Sequence, residues 1–218
     1  MQTEHYAPEA QIPLSRLLAE SRTPSTPLAQ SNGHFFSWGD FRLDVASLSS
    51  QILKIGCGRW LLFTEDTYRF AVGLFAIWHA DSIAVLPPNL GQQTLKELNH
   101  ELQGVVTDCK LELDNVPLLY PKAAVTHVLH HDWEVLSRHQ TKLEIFTSGT
   151  TGARKALKKT IANLESEVEE QEEVWGEKLA KSTVYSTVSH QHIYGLLFKV
   201  LWPLSAGRVF QHETFFFT

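Results

Sequence analysis

Two cysteines in 218 residues, Cys57 and Cys109, are too few and too far apart for a disulfide framework or a cysteine-based metal site. A reduced setting with both thiols structural is the simple reading. Strongly basic stretches are also missing. The formal net charge is −5, and the lysines and arginines are scattered, which argues against a nucleic-acid binder. No apolar run approaches the roughly 18 residues that a membrane span needs. Met1–Pro8 has neither a basic nor an apolar region, so it does not read as a signal peptide. The expected location is therefore cytoplasmic. Eleven histidines are present, with His127, His130, His131 and His139 in one region and His190 and His192 in another. Neither group has a His-Glu-x-x-His spacing, so no metal ligand is assigned. What remains is the composition of a soluble globular domain, 43% hydrophobic and 20% charged.

The most informative stretch runs from Glu144 to Thr160. Leu143, Ile145 and Phe146 end a short apolar run that reads as a buried strand. Six small residues follow, Thr147, Ser148, Gly149, Thr150, Thr151 and Gly152, and then Lys155. Such a run buries almost no apolar surface. It offers unobstructed backbone N–H groups, four hydroxyls and a cation. Its two glycines allow φ > 0 conformations that aim successive N–H groups at one point, which suits a polyphosphate. A plain Ser/Thr/Gly turn has a similar composition. A Walker A loop fails on spacing, because Ala153 and Arg154 separate Gly152 from Lys155 and Ala156 follows.

Elsewhere the chain reads as alternating strands and helices. Ile12–Glu20 suggests a short amphipathic helix and Ser21–Asn32 a loop. Ser37 is a candidate N-cap for a helix carrying Phe41, Val45, Leu48 and Ile52. Trp60–Thr64, Ser82–Leu86 and Gly104–Thr107 read as strands. Tyr68–Ala80 and Thr94–Leu102 read as the helices between them, the first so apolar that it must be enclosed. Strand and helix in strict alternation, with short connections, imply a parallel sheet with crossover helices. Val116–Leu119 and Ala123–Leu129 are possible short strands. The His130-His131-Asp132-Trp133 run reads as a surface loop with the indole tucked in. Ala156–Thr160 reads as an edge strand, Asn163–Leu179 as a helix whose seven glutamates form a solvated face, and Thr183–Val188 as a strand. An apolar segment then runs from His190-Gln-His-Ile-Tyr-Gly195 on to Pro203 and Gly207, and Val209-Phe210 and Phe215-Phe216-Phe217 read as sheet-forming segments after it.

Thr147-Ser-Gly-Thr-Thr-Gly-Ala-Arg-Lys155 resembles the phosphate-binding signature of the adenylate-forming (AMP-binding) superfamily of acyl- and aryl-CoA synthetases, Thr-Ser-Gly-Ser/Thr-Thr-Gly-x-Pro-Lys. Arg154 is its one departure. His192-x-x-Gly195 resembles that superfamily's next block at a similar interval. The resemblance implies an α/β fold with mixed, largely parallel sheets and crossover helices, the N-terminal subdomains of such an enzyme. It implies that Thr147, Ser148, Gly149, Thr150, Thr151, Gly152 and Lys155 hold the phosphates of ATP, with Mg2+. It further implies catalytic roles for Lys155 at the leaving group and for His192 at the mouth of an acyl pocket. The substrate would be a small carboxylic acid, and the acceptor thiol that of CoA or of phosphopantetheine on an acyl carrier protein. The adenine- and ribose-binding motifs and the lysine of the mobile C-terminal domain are expected beyond Thr218. Residues 1–218 are thus expected to be the truncated N-terminal part of an AMP-binding domain, inactive alone. A non-catalytic nucleotide-sensing or interaction domain that kept the fold is the alternative.

Overall fold

A computed structural model describes residues 10–20, 22–31, 33–99, 101–111, 113, 116–122, 132–146 and 156–213. Its centre is a six-stranded sheet made of β3 (Arg59–Phe63), β4 (Ile83–Leu86), β5 (Gly104–Thr107), β6 (Leu118–Leu119), β7 (Thr141–Phe146) and β8 (Ala156–Thr160). The spatial order is β6-β5-β3-β4-β7-β8. All neighbours are parallel except β7 and β8. The fold is therefore α/β with a mixed, mostly parallel sheet, as expected.

Strand β3 shows why both faces of this sheet are covered. Trp60 and Leu62 point into the larger apolar core, with Ala84, Leu86, Val106, Leu143 and Ile145. Leu61 points the other way, into a smaller core with Val85, Val105, Leu95 and Leu98. Opposite orientation of successive side chains, apolar on both sides, is the pattern of a doubly covered parallel sheet. Helix α2 (Thr67–His79) lies on the first face, with almost every side chain buried. Helix α1 (Trp38–Ile55) packs outside it. A Cβ on Gly73 of α2 would stand 2.6 Å from Leu62 Cδ1, so this position lets the helix approach the strand. Helix α3 (Gln92–Asn99) covers the second face.

Local chemistry sets the helix starts. Ser37 and Asp40 form a reciprocal capping box on α1, with the Asp40 N–H donating to Ser37 Oγ at 3.2 Å. Asp66 caps α2 by accepting from the Arg69 N–H at 2.8 Å. Thr160 and Asn163 form a second capping box, so α4 starts at Ile161 and runs to Leu179, two residues earlier than its apolar pattern suggested.

Several expectations are corrected. Ser21–Asn32 is not wholly loop. Pro27–Ser31 is β1, which pairs antiparallel with β2 (His34–Ser37) and parallel with β9 (Phe210–Gln211). Intrinsic preference in Pro-Leu-Ala-Gln-Ser is weak, and the ladder comes from tertiary pairing. Ile12–Glu20 forms only a 3-10 turn at Leu14–Arg16, although Leu14, Leu17 and Leu18 are buried. Thr183–Val188 makes a single bridge, Val184 with Phe210, because its partner strand is two residues long. The glutamates of α4 are not all solvated. Glu165 is buried and accepts from the Ser15 N–H at 2.8 Å and from Arg138 Nε at 2.5 Å. Cys57 is exposed rather than structural. Cys109 is half-buried, and burial pushes its thiol up to about 11. Ala123–Leu129, His127, His130 and His131 lie outside the described residues. Trp133 is half-buried against the main core, with its ring edge-on to His79. No described helix is long and apolar enough to cross a membrane.

Candidate functional site

Thr147–Lys155, which includes every residue predicted to hold phosphate, lies outside the described residues. Both anchors of this segment are described. β7 is parallel to β4, with Ile145 opposite Leu86, and ends at Phe146. Phe146 pairs with Ala156, the first residue of the antiparallel edge strand β8. The segment therefore leaves from, and returns to, the carboxyl edge of the parallel sheet, where open α/β sheets bind ligands. Deeper in β7, buried Glu144 takes Arg59 Nε at 3.0 Å and Nη2 at 2.7 Å, and Lys158 of β8 lies 3.4 Å away. These charges tie β3, β7 and β8 together below the edge.

His192 is exposed and precedes the short helix α5 (Ile193–Gly195). Its carbonyl accepts from the Leu196 N–H at 2.8 Å, while its side chain makes no capping bond. The helical path continues through a π-helical segment, Leu196–Leu201, into α6 (Trp202–Ala206). The glycine of the His-x-x-Gly pattern has a steric explanation. A Cβ on Gly195 would lie 2.0 Å from the Ser189 carbonyl oxygen and 2.9 Å from the His190 nitrogen. Only glycine lets the preceding turn fold back against the helix.

Beside His192 lies a groove of about 400 Å³ lined by Val174, Trp175, Ile193, Tyr194, Leu197 and Phe198, with Glu167, Glu170 and Gln171 on its α4 side. Tyr194 and Phe198 stack with 6.0 Å between centroids, and Trp175 meets Phe198 at 5.7 Å. Tyr194 is 69% exposed.

The neighbouring histidine, to which the sequence assigned no role, is the better-held one. His190 is 1% exposed. Its Nε2–H donates to the Thr64 carbonyl at 2.8 Å, and Nδ1 lies 3.0 Å from Thr67 Oγ1. Burial lowers its pKa to about 4, so the ring is neutral, and the Thr67 hydroxyl beside Nδ1 donates to the His212 carbonyl at 2.6 Å. These bonds pin the turn before α5 to the end of β3 and the start of α2. Lys199, on the π-helical segment, is fully buried and donates to the Glu213 carbonyl at 2.8 Å. Burial pulls its pKa down to about 8, against the pull of Asp66 and Glu213. The adjacency of His190 to the motif histidine was the only sequence signal, and it carried no direction.

A second, larger cavity of about 710 Å³ opens beyond the carboxyl ends of β3 and β5. Phe63–Asp66, Arg69 and Asp108 form one side, Ser189–Gln191 and His212–Glu213 the other.

No family model matches the chain, and no curated protein matches it in sequence. Solved structures do match it in shape. A malonyl-CoA ligase in a ternary product complex with methylmalonyl-CoA and AMP superposes with a TM-score of 0.77 at 18% identity, over 94% of this chain and 45% of that one. O-succinylbenzoate coenzyme A synthetase (MenE) from Bacillus subtilis, in complex with AMP, gives 0.76 at 17% identity, over 95% and 57%. ATP-bound MatB from Rhodopseudomonas palustris gives 0.75 at 15%, over 93% and 46%. The chain spans about half the length of the structures it resembles. At these identities the likeness establishes architecture: this chain has the fold of the N-terminal portion of the adenylate-forming acyl-CoA synthetases.

Proposed function

We propose that the chain is the N-terminal part of an ATP-dependent carboxylic acid–thiol ligase, and that Thr147–Lys155 binds the triphosphate. The observation that carries this reading is the coincidence of a nine-residue phosphate-type signature with the carboxyl edge of β7, in a fold shared with CoA ligases. Structures with that fold hold AMP, ATP with magnesium, and a CoA thioester, which supports the same ligands here. ATP supplies the adenylyl group and pyrophosphate as leaving group. Backbone amides of Ser148–Gly152, the hydroxyls of Thr147, Ser148, Thr150 and Thr151, and the Lys155 ammonium hold the phosphates. They stabilise charge on the departing oxygens. Gly149 and Gly152 permit the required backbone turns. Mg2+ enters with the nucleotide, and no side chain of this chain is assigned to it.

In this reading His192 stands beside the carboxylate of the acid, and the groove under Tyr194 and Phe198 takes its apolar part. The acyl group then passes to a thiol, of CoA or of a carrier-protein phosphopantetheine, in the cytoplasm. The 218 residues alone bind nucleotide without completing adenylation, since the longer ligases devote about as much chain again to the task. Magnesium–ATP should raise the melting temperature of the wild-type chain and leave Lys155→Ala unmoved. A wild-type chain indifferent to millimolar nucleotide would refute the assignment. Arg154, in place of the usual proline, favours one other reading, a nucleotide-sensing domain without chemistry. Nucleotide binding without ATP–pyrophosphate exchange in the longer protein would select it.

A further inference from the structure

The aromatic groove beside His192 is charged as well as apolar. Glu167, Glu170, Val174 and Trp175 line it from α4. Spaced i, i+3, i+7 and i+8, they share one face of that helix. The face is divided along its length, with carboxylates toward its start and an indole further on. Glu170 is exposed, and no described residue bonds to it. Glu167 meets Lys159 Nζ at 3.4 Å, a long contact between partly exposed groups that holds it weakly. No lysine, arginine or histidine is among the described residues that line the groove.

The second observation is the aromatic lining. Tyr194 and Phe198 are one helical turn apart, with 13° between their ring planes. Phe198 in turn meets Trp175 of α4. Three π-systems thus follow one another, and Trp175 and Tyr194 remain exposed. The face of an aromatic ring is its negative pole, so it attracts a cation more than it attracts a neutral group of the same shape. Rings and carboxylates here favour the same sign of charge. An anion is repelled by both.

We infer that the acid this groove takes bears a cationic nitrogen at the end remote from its carboxylate, held against Trp175 and Tyr194 with Glu167 and Glu170 supplying the opposite charge. The inference rests on the reading of the groove as the acyl pocket. The carboxylate of the substrate stays at His192, and the spacer between its two charges lies along Val174 and Leu197. A quaternary nitrogen suits the groove best, because it has no N–H groups to satisfy against the rings. A dicarboxylic acid of the same length is rejected. Its second carboxylate would meet Glu170 with no cation in the lining to pair with it. Glu170 and Trp175 are therefore the specificity-determining residues on the α4 side.

Three rigid acids of matched outline test this by calorimetric titration of the chain at low salt, without nucleotide. They are 4-(trimethylammonio)benzoate, its neutral isostere 4-tert-butylbenzoate, and terephthalate. The ammonium acid should bind at least about fivefold more tightly than the tert-butyl acid, and terephthalate should give no saturable heat. Glu167→Gln combined with Glu170→Gln should bring the first two affinities to within about twofold and flatten the salt dependence of the ammonium acid. Trp175→Leu keeps an apolar side chain. It should weaken the ammonium acid about threefold or more and leave the tert-butyl acid within about twofold. Equal affinity of the wild-type chain for these two acids would overturn the charge preference and leave the acyl-pocket reading standing. Saturable binding of neither would overturn both. A preference for the ammonium acid that survives all these substitutions, or tight binding of terephthalate, would also overturn the inference.

Discussion

His190 and His192 sit two positions apart in opposite surroundings, one sealed under Thr64 and Thr67, the other in solvent. The difference has a pH signature. His190 titrates lower in the folded chain, at about 4, than its ordinary 6.5. Between those values the unfolded chain binds more protons. The stabilisation is therefore complete above pH 6.5 and is lost as pH falls toward 4, by about 3 kcal/mol in all. Urea denaturation at steps from pH 7 to pH 4.5 should show that decline, and His190→Gln should flatten it. Gly195→Ala should cost about 1–3 kcal/mol or more, read by the same denaturation, because its Cβ would strike backbone that cannot move aside. The sequence pointed to His192 through a motif and passed over His190. Burial and hydrogen-bond partners separate the two, and both depend on Thr64 and Thr67, more than 120 residues away.

Elements whose chemistry is local were legible. Ser37, Asp66 and the apolar faces of α1 and α2 announce themselves within a few positions. Elements held by distant partners were not. β1 exists because β2 and β9 flank it, and its residues read in the sequence as part of a loop. The packing of α4 on α6 was equally hidden. Glu172 there accepts from Arg208 Nη1 and Nη2 at 2.5 and 2.9 Å and from Trp202 Nε1 at 2.6 Å, and the guanidinium holds its carboxyl below the usual range. Glu172→Ala strands the Arg208 charge, although the Ala180 and Gly176 carbonyls still accept from it. A loss of about 2 kcal/mol is expected in chemical denaturation, and Glu172→Gln should recover part of it.

At the scale of the molecule, one sheet gathers both the strand ends that bear on ligands and the two apolar cores. The parallel order of the sheet followed from strand–helix alternation, whereas strand positions across it did not, since spatial order is a tertiary property. If the nucleotide reading holds, ATP will stabilise the whole chain in one transition, because β7 and β8 are continuous with the main core through Leu143 and Ile145. Two separate melting steps under ATP would instead mean that the edge opens independently.

The small sheet carries one last implication, for biosynthesis. Gln30 on β1 and Gln211 on β9 are joined by a side-chain hydrogen bond across 181 positions. During translation β1 must wait, one flank open, until the ribosome has released nearly every later residue described here. A nascent chain arrested before Phe210 would expose that flank to any passing extended peptide.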